Sequence, residues 1–233
     1  MPHFLLTQQD WTSAKAIDVI HTANPPVDNK EQGMTVVIMN SVIQNSSGEI
    51  AIDNDYAQVI INGLEVSSVT VITLLQTINS GVTDIEMLMV TKCSMGAVTL
   101  TTTQGQLQIS SSVIFDNDKF SDVFVSTDEG TNTTIDGLEV TENTRILDAW
   151  TAVFVDKSSM ATVSNSLFSG NIQMGSAILA SDMGRAEVFD TRITSNNGVS
   201  TPVSGLCLTS MIPFSHFFLT DLSNCELPCI FHQ

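Results

Sequence analysis

The chain has 233 residues, 42% of them hydrophobic and 14% charged, with 25 acidic against 8 basic side chains and a formal charge of −17. That imbalance argues against nucleic acid or an anionic bilayer as partner, because both need cationic neutralisation. No apolar run approaches the roughly 18 residues of a membrane span, and solubility falls to Ser, Thr, Asn and Gln, a mixture that favours strands and turns over helices.

In chain order, the start MPHFLLTQQD lacks the charged flank and long apolar segment of a secretory signal. In DWTSAKAIDVIHTA, Asp10 can cap a short helix, with Trp11, Ala14, Ile17 and Ile20 or His21 near one face. Residues 1–33 are therefore expected to form an N-terminal cap and linker ending around Asn24-Pro25-Pro26.

From residue 34 to 233 a cadence repeats. An apolar anchor is followed by a small or apolar residue at plus three, an apolar one at plus five and a polar one at plus eight. Val163 gives Ser166, Phe168 and Asn171; Ile109, Ile135 and Val188 give Asn117, Asn143 and Asn196 in the same phase. Ile38 gives Ser46, and weaker copies start at Ile61, Leu88 and Phe217, with steps of 21 to 29 residues. Self-similarity at this period marks a solenoid whose turns stack to bury a shared apolar face. The spacing of two between apolar positions, and their Val, Ile, Thr and Phe content, make the turns strands. Second strands follow at GEIAID (48–53), GAVTL (96–100), SDVFV (121–125), TAVFV (151–155), GSAIL (175–179) and SGLCL (204–208). Like strands stacked in phase give an all-β fold, a right-handed parallel β-helix of about eight turns, with the short helix as its cap.

Asn117, Asn143, Asn171 and Asn196 share one phase. An Asn side chain can satisfy backbone groups left unpaired at a tight bend, and stacked copies can bond to one another as a ladder. Cys93 reads as a small buried residue, while Cys207, Cys225 and Cys229 cluster near the C-terminus and are disulfide candidates whose pairing stays open. Asn45-Ser-Ser and Asn132-Thr-Thr are glycosylation sequons.

The cadence resembles the repeats of pectin-lyase-like right-handed β-helices, and especially the FxxN and GGA[ILV] repeats of polymorphic outer-membrane-type surface proteins. Phe168 to Asn171 (FSGN) fits the first motif, and Gly175-Ser176-Ala177-Ile178 fits the second with Ser for its second Gly. The resemblance implies carboxylates and a basic residue on one outer sheet if the chain were a lyase or hydrolase. The candidates are Asp53, Asp128, Asp156 and Asp182, each just after a second strand, where stacking could make one acidic line. Calcium is the ion such a line would accept; no other cofactor is implied.

Neither Arg145, Arg185 nor Arg192 sits in a motif like a lyase base, and no catalytic residue is assigned. The expectation is a non-enzymatic extracellular or cell-surface protein, structural or adhesive, whose partners are other copies or other proteins of a surface assembly. The alternative is a carbohydrate-active enzyme or glycan-binding module taking a polysaccharide.

Overall fold

A computed structural model describes residues 3–4, 15–20, 35–95, 98–118, 123–145, 150–197 and 203–204. Every regular element among them is a strand. In chain order these are β1 (His3–Phe4), β2 (Lys15–Ile20), β3 (Thr35–Gln44), β4 (Ser47–Asp55), β5 (Gln58–Ser67), β6 (Thr70–Ile78) and β7 (Val82–Thr91). Then come β8 (Ser94–Met95), β9 (Val98–Thr103), β10 (Gln106–Phe115), β11 (Val123–Asp128), β12 (Asn132–Thr141) and β13 (Trp150–Val155). The last are β14 (Met160–Ser164), β15 (Leu167–Ser169), β16 (Met174–Ala180), β17 (Arg185–Phe189), β18 (Arg192–Thr194) and β19 (Val203–Ser204).

Alternate strands join two sheets. One runs β1-β3-β5-β7-β10-β12-β14-β17, with β15 and β18 continuing its far side; the other runs β2-β4-β6-β9-β11-β13-β16-β19. Every neighbouring pair is parallel. The chain is a parallel β-helix. Between Thr35 and Gly184 the described residues complete six turns, with a partial turn at either end. The anchor at Phe217 lies outside the described residues, as do Asp10 to Ala14.

Two expectations are corrected. Lys15–Ile20, read as part of a capping helix, is a strand that pairs in parallel with β4, Ile17 lying beside Ile52. KAIDVI satisfies a two-residue period through Ile17 and Val19 as well as a helical one, and an open sheet edge supplies the hydrogen bonds that decide it. The anchor at Leu88 is also out of phase. Ile61 pairs with Ile85 and Ile85 with Ile109, so the two uneven steps become equal ones of 24 residues.

Each turn has three corners made by residues in the left-handed region. The first folds the long strands in the middle, at Asn40, Gly63, Met87, Ser111, Gly137, Asn165 and Asp190. The second follows those strands at Asn45, Ser68, Lys92, Asp116, Glu142, Gly170 and Ser195. The third closes the turn at Tyr56, Asn79-Ser80, Gln104, Glu129-Gly130, Lys157-Ser158 and Asp182-Met183. Left-handed backbone costs a side chain on the order of 1 kcal/mol, so the polar and glycine content of these corners is their physical signature.

The first corner also resets the inside-outside alternation. In β3 the burial runs half-buried, buried, half-buried, buried, then two exposed residues, then buried again. Inward side chains consequently stack in rows, such as Ile38, Ile61, Ile85, Ile109, Ile135 and Val163, all fully buried. Each such residue contributes about 1.5–3 kcal/mol of hydrophobic burial, set against the entropy of ordering its turn.

Candidate functional site

The four candidate ladder asparagines each follow a second-corner residue, and their side chains turn inward. Asn143 is completely buried, as is Asn171. Asn117 donates from Nδ2 to Asn143 Oδ1 at 2.8 Å, Asn143 to Asn171 Oδ1 at 3.1 Å, and Asn171 to Asn196 Oδ1 at 2.8 Å. The same oxygens accept the backbone N–H of the preceding asparagine at 3.0–3.3 Å. Each amide also donates to a carbonyl one turn back: Val90, Ile114, Val140 and Phe168 respectively. The row thus satisfies the backbone at a bend inside the core, which is a structural task.

With the register corrected, Cys93 occupies the same position one turn earlier. Its N–H donates to Asn117 Oδ1 at 2.8 Å, and its thiol donates to Thr91 O at 3.2 Å and reaches Val66 O at 3.6 Å. Burial pushes the thiol pKa up to about 11. Replacing Cys93 by Asn is expected to extend the ladder by one member and add about 1 kcal/mol of stability. Calorimetry checks this as a melting temperature raised by about 3 °C; an unchanged or lower value would contradict it.

The four candidate aspartates do not form one line. Asp53 is buried in β4 and lies level with Gln76 of β6, three residues before the third corner. Asp128 and Asp156 directly follow the paired Thr127 and Val155, so these two do stack. Asp182 falls one place further on, its carbonyl accepting the Ser158 N–H at 3.1 Å. Lys157 sits among them, 3.0 Å from Asp128 and 3.8 Å from Glu129, and its hydrogen bond to Asp128 raises its pKa. Among the described residues no group of three or more His, Cys, Asp or Glu is placed to hold a metal ion.

Both sequon asparagines face solvent. Asn45 lies at the second corner and Asn132 opens β12, with its Thr133 turned into the core. Cys207, Cys225 and Cys229 lie outside the described residues.

The site that sequence reading missed is a shallow groove of about 280 Å³ on the first sheet before its first corner. Its outward side chains form two rows across β5, β7, β10 and β12. One row is Ile60, Asp84, Gln108 and Thr134; the other is Asn62, Glu86, Ser110 and Asp136. Asn62 donates to Glu86 at 2.7 Å. Ser164 and Asn165 donate to Asp136 at 2.8 and 2.7 Å, and these bonds, that from Asn165 first, hold its carboxyl below the usual range. The anchor positions minus one and plus one encode both rows, but the misplaced anchor at Leu88 hid Asp84 and Glu86.

Asp84 and Glu86 are two apart on one strand, hence about 7 Å apart, and Asp136 is two turns from Glu86, about 10 Å away. These carboxylates are spread along the groove rather than converging on a point. They can accept hydrogen bonds from hydroxyl or amine groups of an extended ligand, and among the described residues no cation lines the groove beside them. Comparison with known proteins found no family model, no curated protein and no solved structure that matches the chain.

Proposed function

We propose that this is a non-enzymatic structural or adhesive protein of the extracellular or cell surface, acting as a rigid unit in a larger assembly. The observation that carries this reading is that outward polar side chains bond to one another from turn to turn at several places along the solenoid. Asn79 donates to Asp55, Asn62 to Glu86, Gln104 to Glu129, Lys157 to Asp128 and Asn165 to Asp136, each across a single turn. Six complete turns at about 4.8 Å each make a body about 29 Å long that presents stiff, evenly spaced faces.

A second reading, a polysaccharide-binding or polysaccharide-cleaving module, is favoured by the groove with Asp84, Glu86 and Asp136. One experiment separates the two. The full chain is incubated with acidic and neutral polysaccharides, with and without calcium; cosedimentation reads binding and new reducing ends read chain cleavage. Neither saturable binding nor turnover is expected under any condition; saturable binding or sustained turnover would overturn the structural reading, and either one only with calcium would also assign the ion.

A further inference from the structure

Across the first corner from the groove, the outer face of the same sheet carries an apolar patch. Met89 of β7 is the register partner of Val113 of β10, and Phe115 lies two residues beyond Val113 on the same side. Met87 stands at the corner itself. Met87, Met89 and Phe115 are 47%, 40% and 38% exposed. In other turns the position of Met87 is Asn, Gly, Ser or Asp; here a large apolar side chain is held outward on left-handed backbone, φ 58°.

Carboxylates frame this patch. Glu65 is the partner of Met89 one turn earlier, and Glu139 the partner of Val113 one turn later. Glu86 adjoins Met87 and Asp116 adjoins Phe115, both exposed, with Lys92 as the neighbouring cation. A second copy laid antiparallel on this face would set Glu65 against Glu139, and the charge of −17 adds to that repulsion. The complement is an apolar centre between two positive charges. Glu65 and Glu139 are three turns apart, about 14 Å, and the side chains of residues i and i+4 of an extended segment are also about 14 Å apart on one face.

We propose that this patch docks an extended, basic segment of a partner protein, one with Lys or Arg at i and i+4 and an apolar residue at i+2. Phe115, Val113 and the two methionines receive the apolar side chain, the thioethers adapting to its shape, while Glu65 and Glu139 take the cations. The proposal gives the adhesive reading a surface and a class of partner. It can fail while that reading stands, because the rod and its lack of turnover are measured separately.

The test uses the full chain labelled at the methionine methyl groups, with its ten methionines as reporters. The probes are a Thr-Lys-Thr-Phe-Thr-Lys-Thr peptide and the same peptide with Glu for both Lys. Saturable shifts of the Met87 and Met89 signals with the first peptide alone are expected, with Met183 unmoved. The surface variants Glu65→Gln with Glu139→Gln, and separately Met89→Thr with Phe115→Thr, are expected to weaken binding tenfold or more at unchanged melting temperature. No saturable shift, equal shifts with the Glu peptide, or undiminished binding by both variants would overturn the proposal. So would concentration-dependent dimerisation that itself shifts Met87 and Met89.

Discussion

Asn143→Ala is expected to destabilise the protein by about 4 kcal/mol, read as a melting temperature lowered by about 12 °C. The side chain occupies the middle of the ladder, so its loss is felt on both sides. Asn117 loses the acceptor for its backbone N–H and one acceptor for its amide; Ile114 O loses its side-chain donor, and Asn171 Oδ1 one of its two. These groups are buried, and an unmade hydrogen bond there costs about 1–3 kcal/mol each, because no water replaces it. Asn143→Asp separates shape from chemistry. It keeps the acceptor but sets a carboxyl against Asn171 Oδ1 and Ile114 O, and burial raises its pKa above the unfolded value of about 3.9. With the folded value the higher one, the unfolded state releases its proton first as pH rises. The variant should therefore lose stability upward from about pH 4. A denaturation series from pH 4 to 8 checks this, and a flat profile would show that the ladder accommodates the charge.

The second large effect is expected at Trp150, where replacement by Ala should cost about 4 kcal/mol. Trp150 is among the largest fully buried side chains, at 1% exposure, and its Nε1–H donates to Ile172 O at 3.0 Å. It opens β13 where the register to β16 shifts, pairing with Met174 while the next residue pairs with Ser176. The indole is fully buried, and Ala would leave a cavity in a core whose turns are held in register by parallel ladders. Trp150→Phe should cost less than half as much, because it retains most of the apolar area and forfeits mainly the bond to Ile172. Chemical denaturation with an unchanged slope is the measurement; equal costs for Ala and Phe would place the effect in the hydrogen bond instead.

The ladder was visible in the sequence only in part, and Trp150 carried no mark of its place in the core. Asn143 was legible because its phase repeats at Asn117, Asn171 and Asn196, and the demands of a bend are met by few residue types. Cys93 was not legible as their counterpart: its turn was anchored at Leu88, three residues off, so that Cys93 fell at an apolar position. Leu88 and Ile85 are both buried apolar residues on either side of the first corner, and a pattern of apolar spacing cannot tell which begins the turn. The strand TVITLLQTI also escaped notice, although its adjacent buried Leu74 and Leu75 repeat a pattern that SDVFV and TAVFV carry at Phe124-Val125 and Ala152-Val153.

The aspartates show the limit most clearly. Asp53, Asp128, Asp156 and Asp182 all lie near the ends of their second strands, yet only Asp128 and Asp156 stack: Asp53 falls two register positions earlier and Asp182 one position later. Asp84, Glu86 and Asp136 flank their anchors Ile85 and Ile135, but no residue type repeats at those flanking positions. They become one groove only because β7, β10 and β12 stand side by side.

By itself, the sequence determined the parallel β-helix, the inward apolar rows and the asparagine ladder, because each is a demand on residue type repeated at nearly constant spacing. Only the tertiary structure decided the register of each turn, that Lys15–Ile20 is a strand, and which outward side chains are neighbours. The reason is that contacts on a solenoid's surface join residues some 25 positions apart through corners whose geometry tolerates many sequences, so solvent-facing side chains are free to vary without leaving a periodic trace.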